Sequence, residues 1–225
     1  MSSSDGHAST HAPHAPRHPH LAGHFDTIEK QDYAARLGMW LFLGTEVLLF
    51  AGLFLGYTVY RHFYHDTFHH CSRALDITLG TTNTIVLITS SLFVALAYWA
   101  VKVGKKNLAV VMLVLTILCA IGFLCIKYLE YSHKFEVGEL PGKWFHAEEL
   151  MKYPAANMYF TIYFLTTGLH AFHVIVGMTV LLWVLKGILK GRYNEGYYVP
   201  VELGALYWHL VDLVWIFLFP LLYLI

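Results

Sequence analysis

An all-α fold, a polytopic membrane bundle of five transmembrane helices, is predicted by three observations. Hydrophobic residues make up 57% of the 225-residue chain. Charged residues make up only 13%, against roughly 25% in soluble domains. Five stretches, at about residues 35–60, 77–101, 108–131, 158–185 and 201–225, each supply the roughly 20 apolar residues a helix needs to cross hydrocarbon. Length alone would fit one or two soluble domains, but the apolar runs make residues 31–225 one membrane domain. The formal net charge is zero, so nothing in the composition suggests a nucleic-acid partner. Cys71, Cys119 and Cys125 form no ligand or disulfide pattern.

Before the first span lies a different composition. Residues 1–30 open with a Ser, Ala, Pro and His tract that includes His7, His11, His14, His18, His20 and His24. It has too little apolar surface to bury, and is expected to be a disordered, solvated tail. Its prolines interrupt any regular ligand face, so a solvated tail is favoured over a metal-binding tract. It lacks the apolar core of a signal peptide, which leaves the first span to direct insertion.

The loops set an expected orientation. Arg17, Lys30, Arg36, Lys102, Lys105, Lys106, Lys186, Lys190 and Arg192 gather on one side, in short segments. Arg61, Arg73, Lys134, Lys143 and Lys152 are spread over longer loops on the other. The positive-inside rule puts the first side, with the N-terminus, in the cytoplasm and the C-terminus outside. Pro141, Gly142 and Trp144 read as an interfacial turn in the loop 132–157.

Polar residues within the spans call for individual reasons, because each is costly in hydrocarbon. Glu46 lies roughly 16 Å into span one, near the midplane. Met39, Phe42, Phe50 and Leu53 share its face and offer it no polar partner. It is expected either to be a neutral acid hydrogen-bonded to another helix, or to serve in proton handling or lipid contact. Gly52 and Gly56 on the same span form a small-xxx-small pattern that favours close helix packing.

Span two carries Asn83, Thr84, Thr89, Ser90 and Ser91 for interhelical bonds. Lys127 and Glu130 pair at i, i+3 near the end of span three, where snorkelling to the interface is also expected. In span four, His170, His173 and Gly177 stack on one face, with Thr166 a turn earlier. In span five, His209 and Asp212 are three apart, and a bond between them would ease the burial of Asp212. A metal site could be assembled from His170, His173 and His209, but interhelical hydrogen bonds or a lipid-headgroup pocket explain these residues more simply.

Five segments carry a resemblance. They are LGMWLFLGTEVLLFAGLFLGY (37–57), TTNTIVLITSS (81–91), KYLEY (127–131), FLTTGLHAFHVIVG (164–177) and YWHLVDLVWIFLFPLLY (207–223). In this order, they resemble the core helices of subunit III of haem-copper terminal oxidases, the cytochrome c oxidase subunit 3 family. The usual form has seven helices, and this chain is similar to the five-helix bacterial form.

The resemblance implies a subunit that carries no haem or copper itself. It would pack on the catalytic subunit I, beside subunit II, which hold those cofactors. It would bind phospholipid, support proton uptake and stability, and lie in a bacterial plasma membrane. Glu46 matches the family's buried carboxylate, the one that reacts with hydrophobic carbodiimides. His170, His173, His209, Asp212, Glu130, Lys127 and Asn83 are implied lipid or interhelical contacts, not catalytic residues. The competing readings are subunit III of a quinol oxidase, an accessory protein of nitric-oxide reduction, and an independent proton-coupled transporter.

Overall fold

The computed structural model describes residues 20–142, 145–146 and 150–225, so Lys143, Trp144 and the histidines before His20 lie outside the described residues. Six helices follow in order: α1 (Ile28–Phe63), α2 (His65–Ser72), α3 (Ile77–Lys102), α4 (Lys106–Val137), α5 (Ala156–Leu189) and α6 (Val199–Tyr223). All but α2 are long and apolar enough to cross a membrane. Among the described residues there is no strand, only the isolated bridges Glu139–Phe145 and Asn194–Tyr197. The five predicted spans fall on these five helices; α6 is shifted two residues towards the N-terminus and the other four run past the predicted bounds, α4 by six residues to Val137. The short α2 was not predicted; its HDTFHHCS sequence is too polar and too brief to show a helical face.

The chain divides into two units, residues 1–41 and 42–225. In the first, Gln31 accepts from the Ala22 N–H and donates to the His20 carbonyl, and Asp26 pairs with Lys30 at 2.8 Å.

In the second unit, the ends of the helices follow from local chemistry. Asp76 caps α3 by accepting from the N–H groups of Thr78 and Leu79. Gly138 ends α4 at φ +80°, a left-handed conformation that favours glycine, and donates to the Lys134 carbonyl. The last carbonyls of α6 have no intrahelical donor. Side chains supply donors instead: Tyr57 donates to Leu221, Tyr159 to Leu222 and Ser72 to Ile225.

α3 packs on α4 and α6, α5 packs on α4 and α6, and α2 packs on α5. The α3–α6 seam is antiparallel, as Thr84 meets Trp215, Ser90 meets Trp208 and Ser91 meets His209. Small residues let α5 approach α6. A Cβ on Gly177 would lie 2.9 Å from the Trp208 ring and 3.3 Å from Tyr207. Gly177→Ala therefore overpacks the seam and should cost about 1–3 kcal/mol. It should lower the thermal unfolding midpoint in detergent, whereas Gly52→Ala should leave it level or raise it.

That contrast arises because residues 42–63 of α1 stand apart from the other helices of this unit. A Cβ on Gly44, Gly52 or Gly56 meets nothing within 4 Å, so among the described residues the Gly52/Gly56 pattern joins α1 to no other helix. Long side chains bridge the gap instead: Phe42 stacks on Tyr207, Phe50 meets His173 edge-on, and Tyr57 meets Phe68. Leu48 and Leu55 on α1, Ile85 on α3 and Phe172 on α5 face outward, as suits a surface solvated by acyl chains.

Cys71 on α2 is fully buried. Burial, with Glu139 nearby, pushes its thiol up to about 12. Only the thiolate reacts, and at pH 8 about one thiol in ten thousand is ionised at such a value. Cys71 should stay unmodified by a maleimide at pH 8 in the folded protein and become labelled on denaturation, as read by peptide mass spectrometry.

Candidate functional site: polar groups held inside the membrane bundle

Two polar clusters and one seam hold most of the polar residues singled out in the spans. The first is the contact between α1 and α5. Glu46 Oε2 lies 2.9 Å from His173 Nε2, and His173 Nδ1 lies 2.8 Å from the Leu169 carbonyl. A carbonyl only accepts, so Nδ1 carries a hydrogen. The Glu46–His173 contact then needs a proton of its own, borne by the carboxyl as an acid or by Nε2 of an imidazolium. In both forms the pair holds one shared proton and has no net charge. The polar partner missing from Glu46's own helix comes from α5, 127 residues further along the chain.

The second cluster lies at the far end of α4. Lys127 and Glu130 are 3% and 4% exposed, which rules out the snorkelling expected for them. Lys127 Nζ is 3.0 Å from each of Glu130 Oε2, the Tyr163 hydroxyl and the Tyr223 hydroxyl. Both tyrosines in turn donate to Glu130 Oε1. The three ammonium protons and two phenolic protons thus each have an acceptor. That count closes with lysine as the cation and glutamate as the anion. The rings of Tyr131, Tyr163, Trp215 and Tyr223 surround the ammonium at 5.1–5.7 Å from their centroids, adding cation–π attraction.

A second buried ion pair, Lys134–Glu139 at 2.6 Å, sits under Phe160 and Tyr163. Sequence reasoning missed this pair and the two tyrosines. Lys134 and Glu139 span the helix end at Gly138, so no helical spacing links them, and the tyrosines come from α5 and α6.

The remaining candidates are arranged otherwise than expected. His209 Nδ1 bonds the Ser91 hydroxyl at 2.7 Å and does not pair with Asp212, because neighbours on α3 lie closer to the ring than the carboxyl three residues on. Ser90 and Ser91 lie beside Asp212. Ser90, however, donates to the Leu87 carbonyl and accepts from Trp208. Both Asp212 oxygens are buried without a hydrogen-bond partner.

Asn83, expected to bond across helices, is also buried with neither amide atom partnered. Of its neighbours, Thr84, Ser90 and Ser91 do cross to α6, while Thr89 turns back to the Ile85 carbonyl. His170 is fully enclosed, edge-on to Phe123 and tilted on Trp215, with neither ring nitrogen bonded. His170, His173 and His209 are therefore directed at three different surroundings, and do not converge on one point.

Five helices long and apolar enough to cross a membrane, several of them joined by buried polar side chains, define a polytopic membrane protein. The sequence model of the family "Cytochrome c oxidase subunit III" matches residues 20–225, and the chain belongs to that family. It is 31% identical over 199 residues to the "Heme-copper oxidase subunit I+III" of Aeropyrum pernix, covering 84% of this chain and 22% of that one. It is 28% identical over 209 residues to "Cytochrome c oxidase subunit 3" of Allomyces macrogynus, covering 85% of this chain and 66% of that one. For the Loxodonta africana protein of the same name, identity is 28% over 219 residues, covering 89% and 72%. The chain thus spans about two thirds of the length of these subunit 3 relatives and about a fifth of the fused one.

Proposed function

We propose that this chain is a non-catalytic third subunit of a proton-pumping haem-copper terminal oxidase in a bacterial plasma membrane, seated on the subunit that carries the haems and copper. Family membership supports this. So does the Aeropyrum relative, whose name joins subunits I and III in one chain. The observation that carries the non-catalytic part is the destination of the polar groups. Glu46 and His173 join α1 to α5, and Lys127 and Glu130 join α4 to α5 and α6. The haems and copper are assigned to partner chains, as the resemblance to subunit III implies. Phospholipid is proposed to fill the gap beside α1, where the glycines open onto space. Glu46 and His173 tie α1 to α5 and would steady the bundle next to the proton-uptake path of the catalytic subunit. The nine basic residues of the short loops favour a cytoplasmic N-terminus.

The test is purification of the tagged chain in mild detergent, with an optical spectrum and a list of the co-purifying polypeptides. A haem-bearing polypeptide with oxygen-reducing activity is expected. A nitric-oxide-reducing complex, or a homo-oligomer without haem, would overturn the proposal. Oxidation of a quinol in place of cytochrome c would change only the donor.

A further inference from the structure

A groove of about 410 Å³ opens sideways between α3 and α6, lined by Ile88, Ser91, Leu92, Ala95, His209, Asp212, Leu213 and Ile216. Its walls are aliphatic, and Ser91, His209 and Asp212 form its polar floor. Asp212 is 2% exposed; the Ser90 and Ser91 hydroxyls lie beside it, but neither oxygen has a partner in hydrogen-bonding geometry. Its depth is decisive. Asp212 lies 13 residues after Val199 and 11 before Tyr223. Ser91 lies 14 residues after Ile77 and 11 before Lys102. Both are therefore near the middle of a membrane span.

Lipid headgroups sit roughly 15 Å from that level, and acyl chains carry no hydrogen-bonding atoms. A carboxyl group needs a donor when ionised and an acceptor when protonated. The nearby hydroxyls are engaged elsewhere, Ser90 with the Leu87 carbonyl and Ser91 with His209, so a polar side chain at the same depth on a further membrane helix is what supplies either without bringing bulk water into the hydrocarbon.

We infer that this groove receives a transmembrane helix of another oxidase subunit, which presents a hydrogen-bonding side chain such as Asn, Gln, Ser or Thr to Asp212. This rests on the reading of the chain as an oxidase subunit, and names the surface through which it docks. The aliphatic walls hold the partner helix by packing, and Asp212 sets its depth and rotation.

The test is a photo-crosslinking residue in place of Leu92 or Leu213, which stand on the groove walls 58% and 50% exposed. It is irradiated in native membranes, in the whole complex. Crosslinks from both positions to one other polypeptide of the complex are expected. Ala95→Trp, at an exposed wall position, fills the groove without touching the core of the chain. It should reduce recovery of that polypeptide about tenfold or more, equivalent to at least about 1.4 kcal/mol.

Crosslinks only to lipid, to a second copy or within the chain would overturn the inference, as would full recovery with Ala95→Trp. If the unaltered chain recovers its haem-bearing partner and the crosslinks fail, the groove assignment alone falls. If it recovers no such partner, the subunit reading falls and the groove assignment with it.

Discussion

Glu130→Leu is expected to abolish accumulation of the folded chain. The substitution removes the acceptor for one ammonium proton of Lys127 and for both phenolic protons of Tyr163 and Tyr223. It leaves a cation that is 3% exposed. Breaking a buried pair from one side typically costs about 3–5 kcal/mol, which is a large part of the stability of a single domain. The aromatic cage around Lys127 offsets only about 2 kcal/mol of this. Replacing both partners, Lys127→Met with Glu130→Leu, removes the stranded charge and should recover much of the loss. The measurement is the amount of folded protein in the membrane fraction and its unfolding midpoint. A single Glu130→Leu variant as stable as the double one would mean that the lysine escapes burial some other way.

Glu46→Ala should loosen α1 from α5 and shorten the working life of the oxidase. Residues 42–63 of α1 contact the rest of the bundle through side chains and not through close backbone approach, so each bridge matters more than it would in a tight seam. Removing the carboxyl leaves His173 Nε2 facing a void. Polar bonds between membrane helices average about 0.6 kcal/mol and reach about 1.7, so the chain should still fold. The effect should appear as earlier inactivation during turnover and weaker retention in detergent, followed by oxygen consumption over time. His173→Leu should give the same phenotype. The double variant should be no worse than either single one, since both remove the same bond.

The fold was largely legible because length and apolarity are sufficient to mark a membrane helix, and all five spans could be placed that way. Pairings were legible only where they were local. The i, i+3 spacing exposed Lys127 and Glu130, but nothing in KYLEY shows that Tyr163 and Tyr223 close the network. The depth of Glu46 raised a hydrogen bond to another helix as one expectation, beside proton handling and lipid contact. Choosing His173 required the rotation of α5, which its nearly uniform apolarity conceals: its His170 faces Trp215 while His173, three residues on, faces α1. Asp212 misled for the converse reason. Its spacing from His209 suggested a bond within the helix, but Ser91 on α3 claims the imidazole.

On the proposed reading, Glu46 and His173 share one proton as a structural link, not as an obligatory carrier of protons to oxygen. The most direct test is the initial oxygen-consumption rate of the intact complex carrying Glu46→Gln. A glutamine amide donates to His173 Nε2 as the acid does and can neither gain nor lose a proton near neutral pH. Normal assembly and an initial rate close to that of the unaltered complex are expected. Loss of oxygen reduction from the first turnover, in a complex with all its subunits in place, would contradict that reading.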